Sequence, residues 1–339
     1  MPESILVLGL GVIGSVYALR FAKAGYAVAG IARGERLATL RSGGLRVRNV
    51  FLDEEESADI ELLDHVPEGR AFDLVFVCVR AGQVMDAMRS VAKLGPSGAV
   101  VVIGNNLGSL DEEAAIVGPA RFVPGFGAFG GYHDGGVIAY TDGRTKDKPE
   151  QRSGTTLGVL SPSTRPALDA VAAALDAAGL PHSESPDMRS YLVCHAALVF
   201  PLAGSIYAGG GDQARVCRTR DALVLGIRAC RELFGALKAL GYRLEPARLG
   251  SLLGMPEPLL VRYMRKAFAG EGARIAMFGH ANAVQGRGEI GSQAAVLDAI
   301  ARKAGKPLPN WDRLLPHVSG APGIEPLPDG SRAIRLRLW

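Results

Sequence analysis

The first thirty-two residues constrain this chain most. An apolar run, SILVLGL (4–10), leads into Gly9, Gly11 and Gly14 in G-x-G-x-x-G spacing. A helical pattern follows to Ala24 and is stopped by Gly25, and a second apolar run, YAVAGIA (26–32), comes next. A buried strand, a glycine turn, a helix and another strand make a βαβ unit, the context in which this spacing is a dinucleotide fingerprint. Each glycine has a separate task. Gly9 permits the tight turn, Gly11 lets a pyrophosphate approach the backbone, and Gly14 lets helix and strand pack closely. The N–H groups near Val12 and Ile13 would then face the phosphates at a helix N-terminus.

The pattern continues beyond that unit. Residues 73–79 (DLVFVCV), 98–103 (GAVVVI) and 121–125 (RFVPG) read as further strands, with helices at 34–42, 81–93 and 109–116 between them. Near-continuous apolar strands alternating with helices predict an α/β fold with a doubly wound parallel sheet. From 126 to 162 glycine and short apolar runs suggest antiparallel strands and turns at one edge of the sheet, and 164–178 reads as an amphipathic helix. After SESPD (183–187) the chain turns helical in bulk, over 187–208, 214–240, 256–269, 273–284 and 289–304, with Pro201 kinking or breaking the first of these. The tail from Pro307 reads as an irregular surface segment. With 339 residues, two domains are expected, 1–185 and 186–339, the first binding a dinucleotide and the second all-helical and carrying substrate or dimer contacts.

The second strand ends in IARGER, where an NAD site would place Asp or Glu for the ribose 2′-OH; the chain instead offers Arg33, with Arg36 behind it. An arginine there suits a 2′-phosphate, so NADP(H) is the expected cofactor.

Composition narrows the partners. A net charge of +4 without a long basic run does not argue for nucleic acid. The four cysteines, Cys78, Cys194, Cys217 and Cys230, form no C-x-x-C pair and read as reduced thiols of a cytoplasmic protein, so no metal site is expected. The N-terminus lacks the basic region of a signal peptide. The most apolar stretch, SYLVCHAALVFPLAG (190–204), reads as too short to span a bilayer, so no membrane partner is expected.

With these residues in place, the sequence resembles the ketopantoate reductase (2-dehydropantoate 2-reductase) family. The resemblance is carried by VLGLGVIGSVYALRFAKAG, IARGERLATLRSGGL, DLVFVCVRAGQV, NNLGSLDE and GEIGSQAAVLDAIARKAGKPLPN. It implies an N-terminal Rossmann-type domain, a helical C-terminal domain of the 6-phosphogluconate-dehydrogenase-like type, and NADPH-dependent reduction of a 2-oxo acid. Arg33 would hold the 2′-phosphate. Arg80 stands where the family often has a lysine near the cofactor, with Gln83 at the usual spacing. Asn105 matches the asparagine at the nicotinamide end, although Asn106 replaces the glycine that follows it. Glu289 matches the late glutamate that binds substrate and supports catalysis.

One departure stands out. The family's catalytic lysine falls on Leu192, and its two helix asparagines fall on Ala196 and Phe200. A substrate other than ketopantoate is therefore expected. His195, three residues after Leu192 and on the same helix face, is the candidate replacement donor, with an ordinary pKa of ~6.5 suited to proton transfer near neutrality. A core histidine is the competing reading. His280, Tyr191, Tyr207 and Ser205 are weaker candidates, and His133 reads as a turn residue, with His65 and His182 in loops. Arg274 and Arg287 are cations that could meet a carboxylate. Two alternatives stay open: reduction of an imine, and a non-redox enzyme or NADP(H)-binding protein that has lost the usual chemistry. A homodimer is plausible from the long apolar faces of the second domain.

Overall fold

The structure is a computed structural model that describes residues 3–108, 110–127, 129–150, 152–270 and 284–337; for 248, 252 and 284–289 only the backbone is described. The chain divides into two compact units, Met1–Met188 and Arg189–Trp339.

The first unit is built on an eight-stranded sheet. Its parallel centre comprises β1 (Ser4–Leu8), β2 (Ala27–Ile31), β5 (Glu61–Leu63), β6 (Leu74–Val77), β7 (Ala99–Ile103) and β8 (Phe122–Gly127). Two further strands, β11 (Thr155–Gly158) and β12 (His182–Ser185), extend it, and the order is β5-β2-β1-β6-β7-β8-β11-β12. Only the β8–β11 pair is antiparallel. The chain winds one way from β1 to β2 and the other way from β6 to β8, so the order reverses beside β1, the switch point at which such sheets bind ligands. Register fixes what emerges there. Leu8 pairs with Ile31 on one side and Val77 on the other, and Val77 pairs with Val102. The segments after β1, β2, β6 and β7 therefore leave the sheet side by side.

A second sheet, β4-β3-β10-β9, comprises β3 (Leu45–Asn49), β4 (Glu54–Ala58), β9 (Gly130–Asp134) and β10 (Val137–Thr141). The helix α1 (Val12–Lys23) lies between the two sheets, packing on β1 and β2 on one side and on all four strands of the small sheet on the other. Burial on both sides explains why Val16, Tyr17, Ala18, Leu19 and Phe21 are all inaccessible instead of forming a single stripe. Tyr17 also hydrogen-bonds Thr155 of β11 at 2.6 Å, satisfying both buried hydroxyls. The expectation that 126–162 forms an edge of the main sheet is corrected here. Only β11 joins that sheet, while β9 and β10 cover α1. His133 and His182 lie on strands rather than in a turn and a loop.

The second unit is helical. After α3 (Val84–Val91), α4 (Leu110–Val117) and α5 (Arg165–Ala177) of the first unit, Met188–Ala208 (α6) runs through Pro201 without ending. The expected helix 214–240 is two helices, Gln213–Arg218 (α7) and Arg220–Ala239 (α8), joined at Thr219. Arg248–Leu253, Glu257–Ala269 and Val284–Arg302 follow; the expected helix at 273–284 lies almost wholly outside the described residues. The reading of the tail from Pro307 as irregular surface holds for 320–337 and fails for what precedes them. Pro309–Ser319 is a helix whose Trp311, Leu314 and Val318 are fully buried. Pro309 at its first turn is favourable, since its missing N–H would have no helical acceptor. At 21 residues, α6 is long and apolar enough to cross a bilayer, contrary to the reading of 190–204 as too short, and 72% of its most apolar window is buried inside the protein. That burial is the arrangement of a core helix.

Candidate dinucleotide-binding site

The fingerprint turn is closed from behind. Gly9 and Leu10 donate their N–H groups to the Ile31 carbonyl at 3.1 and 3.2 Å, tying the turn to β2. Gly9 has φ +99°, a region favourable to glycine. A Cβ on Gly14 would lie 2.0 Å from the Gly9 carbonyl oxygen, so only glycine lets α1 sit this close to the turn. Gly11 differs: a Cβ there would meet nothing within 4 Å. Its lack of a side chain is not demanded by packing, and it leaves open space in front of the helix start. The first helical bond runs from Ser15 N–H to Gly11 O, so the N–H groups of Val12 and Ile13 have no intrahelical acceptor. No acidic residue occupies the first turn of α1. Open space, donor N–H groups and the positive end of a helix together fit a dinucleotide phosphate.

The other candidates lie on the same edge. Arg33, exposed and extended, is the N-cap of α2 (Gly34–Gly43), just after β2. Arg80 precedes the short 3₁₀ turn after β6 and Gln83 is its last residue, and both are exposed. Asn105 follows β7; its Oδ1 is buried with no hydrogen-bond partner among the described residues. An acceptor withheld from water and unused within the chain is costly, and a polar ligand group at that strand end would satisfy it. Behind the turn, Cys78 is a partly buried thiol whose pKa desolvation raises, which disfavours the thiolate.

His195 and Glu289 belong to the second unit. His195 lies on α6, with its ring stacked near Tyr191 at 6.3 Å between centroids and 14° between planes. Burial pushes its pKa down to about 4, so the ring is neutral at pH 7. The expectation that it titrates near neutrality does not hold in this structure, because desolvation disfavours the imidazolium; what it offers is a neutral N–H. Leu192, Ala196 and Phe200, where the resemblance would put a lysine and two amides, are buried. Glu289 lies on the backbone of Val284–Arg302 in its first turns, and its side chain is outside the description, as is that of Arg287. His280 and Arg274 also lie outside the described residues.

The fold and site define a nicotinamide-dinucleotide-binding protein with a doubly wound N-terminal unit and a helical second unit. The profile of the ketopantoate reductase PanE/ApbA family matches residues 5–148 of the chain. No curated protein matches the sequence. Among solved structures, 2-dehydropantoate 2-reductase from Geobacter metallireducens GS-15 superposes with a TM-score of 0.72 at 15% identity, covering 94% of this chain and 99% of that one. D-mandelate dehydrogenase with NADH and anilino(oxo)acetate gives a TM-score of 0.71 at 15% identity, over 94% and 97% of the two chains. A PanE/ApbA family ketopantoate reductase from Ralstonia eutropha JMP134 gives 0.68 at 18% identity, over 93% and 97%. At these identities the superpositions speak to the fold.

Arg36, expected behind Arg33, reaches back to the fingerprint turn. Sequence reasoning missed His133 at this edge, since it comes from the small sheet and nothing local in the sequence signals it.

Proposed function

We propose that the protein is an NADPH-dependent reductase of the ketopantoate reductase type that converts a carbonyl to a hydroxyl, on a 2-oxo acid or related ketone other than ketopantoate. The observation that carries the reading is the edge formed by the ends of β1, β2, β6 and β7. It brings the open face at Gly11, the N–H groups of Val12 and Ile13, and Arg33, Arg80, Gln83 and Asn105 to one side of one sheet. Gly9 and Gly14 make that geometry possible. Arg33, with no carboxylate at the end of β2, favours a 2′-phosphate over a free ribose hydroxyl.

Bound there, the cofactor supplies a hydride. The chain's own part is to orient both reactants and to stabilise the negative charge that builds on the carbonyl oxygen. Asn105 orients the nicotinamide end. His195 is the assigned donor to that oxygen, acting as a neutral imidazole N–H, a form able to polarise a carbonyl. Glu289 is assigned to substrate holding. The carbonyl carbon would take that hydride and its oxygen a proton drawn from solvent, with the His195 N–H donating to the oxygen as the charge builds. Leu192, Ala196 and Phe200 replace hydrophilic groups with apolar ones, which suits a bulkier and less hydroxylated substrate than ketopantoate. A structure of D-mandelate dehydrogenase carries NADH and anilino(oxo)acetate, and aromatic 2-oxo acids therefore belong in the test.

The test is oxidation of NADPH and NADH by the purified chain against ketopantoate, aromatic and branched 2-oxo acids, simple ketones and imines. The expected result is turnover of an apolar 2-oxo acid or ketone with NADPH, none with ketopantoate, and a loss of at least tenfold in kcat for His195→Ala. Tight NADPH binding with no turnover of any of them would instead favour a non-redox, NADP(H)-binding protein, the reading to which the apolar Leu192, Ala196 and Phe200 also point.

A further inference from the structure

Arg36 and His133 border the same strand ends beside Arg80, and the reaction as read above gives neither of them a task. β9 is an edge strand of the small sheet, and its pairing with β10 sets Gly131 opposite Tyr140 and His133 opposite Ile138. Residues directly opposite in an antiparallel pair share a face. Tyr140 and Ile138 both belong to the buried core that surrounds α1, so this face of β9 looks toward α1. A Cβ on Gly131 would come within 3.0 Å of Val12 Cγ1, at the start of that helix. His133 lies two residues further along the same face. Beyond it the hairpin turns, and a Cβ on Gly136 would lie 3.6 Å from Thr39 on α2. One helical turn before Thr39 is Arg36. β9 thus carries His133 from the start of α1 toward α2.

Arg36 is folded into this region. Its Nε donates to the Leu10 carbonyl at 2.9 Å, within the fingerprint turn, and its Nη2 donates to Ser15 Oγ at 3.2 Å. Its Nη1 is buried with no acceptor among the described residues. Burial also holds its pKa below the usual arginine value. His133 is exposed on this strand. Desolvation of its ring, and then the charges of Arg36 from α2 and Arg80 from the turn after β6, hold its pKa below the ordinary histidine value. Ile138 of β10 stands opposite it, and Val12 of α1 lies against Gly131 on the same face. Asp134, its neighbour in sequence, is on the other face of the strand and pairs with Arg48 of β3. Groups of one sign are brought together around a buried, unused donor, an arrangement that an anion would complete.

We propose that Arg36, His133 and Arg80 complete, with Arg33, the site for the 2′-phosphate of NADP(H), and that His133 takes up a proton from solvent as that site fills. The inference rests on the NADPH reading above. A phosphate monoester is close to a dianion at pH 7. Placed among these groups it offsets the two guanidinium charges and favours the imidazolium over the neutral ring. The protein would then discriminate NADPH from NADH more strongly at acidic pH than at alkaline pH.

Calorimetric titration of the full chain at pH 7, in two buffers of different ionisation enthalpy, reads the proton balance directly. NADPH is expected to bind with net proton uptake and NADH with none. His133→Asn should abolish the uptake and weaken NADPH about tenfold at pH 6.5, leaving NADH unchanged. His65→Asn, at an exposed loop histidine, should change neither. If NADPH outcompetes NADH but His133→Asn binds it with wild-type affinity and proton balance, the inference is wrong and the cofactor reading stands. Equal uptake with both cofactors would place the proton at the pyrophosphate and overturn the assignment. Equal affinity of the wild-type chain for both would remove the inference together with the reading it rests on.

Discussion

Two glycines of one motif answer to different forces, and substitution separates them. A Cβ on Gly14 would meet the Gly9 carbonyl oxygen at 2.0 Å and Cys78 Cβ at 3.1 Å, both on the turn and strand that α1 packs against. Backbone cannot swing aside as a side-chain tip can. Gly14→Ala is therefore expected to cost about 1–3 kcal/mol or more, as overpacking does, read as a lower urea midpoint. Gly11→Ala meets nothing, so its stability should stay within about 0.5 kcal/mol of wild type. Its Cβ would project into the space assigned to phosphate, and dinucleotide affinity should fall at least tenfold. Equal stability losses for the two variants would refute this division. His195 gives a second residue-scale prediction, in stability. Its folded pKa is about 4, against about 6.5 when unfolded. The unfolded chain therefore binds more protons between these values, and stability rises with pH across that window. The contribution is present above pH 6.5 and is lost as pH falls toward 4. His195→Asn should shrink the drop in unfolding free energy between pH 7 and pH 5 by about 2 kcal/mol. An unchanged drop would show that the ring is not neutral in the folded state.

At the scale of elements, the strongly periodic pieces were legible and the pieces that depend on distant partners were not. β1, β2, β6 and β7 are continuous apolar runs, and a buried parallel strand has nowhere else to go. β3 (LRVRN) and β4 (EEESA) carry no such run. They are strands because they pair with each other and because β3 pairs with β10 far along the chain, while Leu45 and Val47 face the helix between the sheets. Partnership outweighs intrinsic preference there. Pro309–Ser319 was obscured differently, since the prolines and glycines around it read as irregular. Its W-x-x-L-x-x-x-V spacing, Trp311, Leu314 and Val318, is nevertheless helical, and all three side chains are fully buried. The helix has no side-chain cap of its own, as Leu308 stands at that position. Glu232 of α8 does the work, accepting from the N–H groups of Asn310 and Trp311, each at 2.9 Å. A carboxylate at a helix start satisfies orphan donors and the macrodipole together. Glu232→Ala should destabilise the protein by about 2 kcal/mol, measured by urea unfolding, without altering NADPH affinity. A loss under about 0.5 kcal/mol would mean that water replaces the cap.

For the molecule as a whole, the cofactor side of the candidate site was largely legible, because a fingerprint is local and the ends of parallel strands come together by register. The contribution of β9 was not, because His133 reaches that edge only through the fold of a second sheet. The substrate side was legible mainly through what it lacks. This asymmetry has a consequence at the largest scale. Gly9, Gly11, Gly14, Arg33, Arg36, Arg80, Asn105 and His133 all belong to Met1–Met188, whose core of Ile5, Val7, Tyr17, Phe21, Phe76, Val101 and Val123 is drawn from that unit alone. His195 and Glu289 belong to Arg189–Trp339. If binding and chemistry divide along this line, residues 1–188 expressed alone should fold, bind NADPH within about tenfold of the full chain, and catalyse nothing. NADPH at a hundred times its Kd should stabilise the fragment by about 2.7 kcal/mol. For a domain of this size that amounts to roughly 5–10 °C in Tm, readable by thermal denaturation with and without the cofactor. A fragment with native circular dichroism and no NADPH-dependent shift would show that the second unit helps to hold the dinucleotide, and the division of labour argued from these residues would fall.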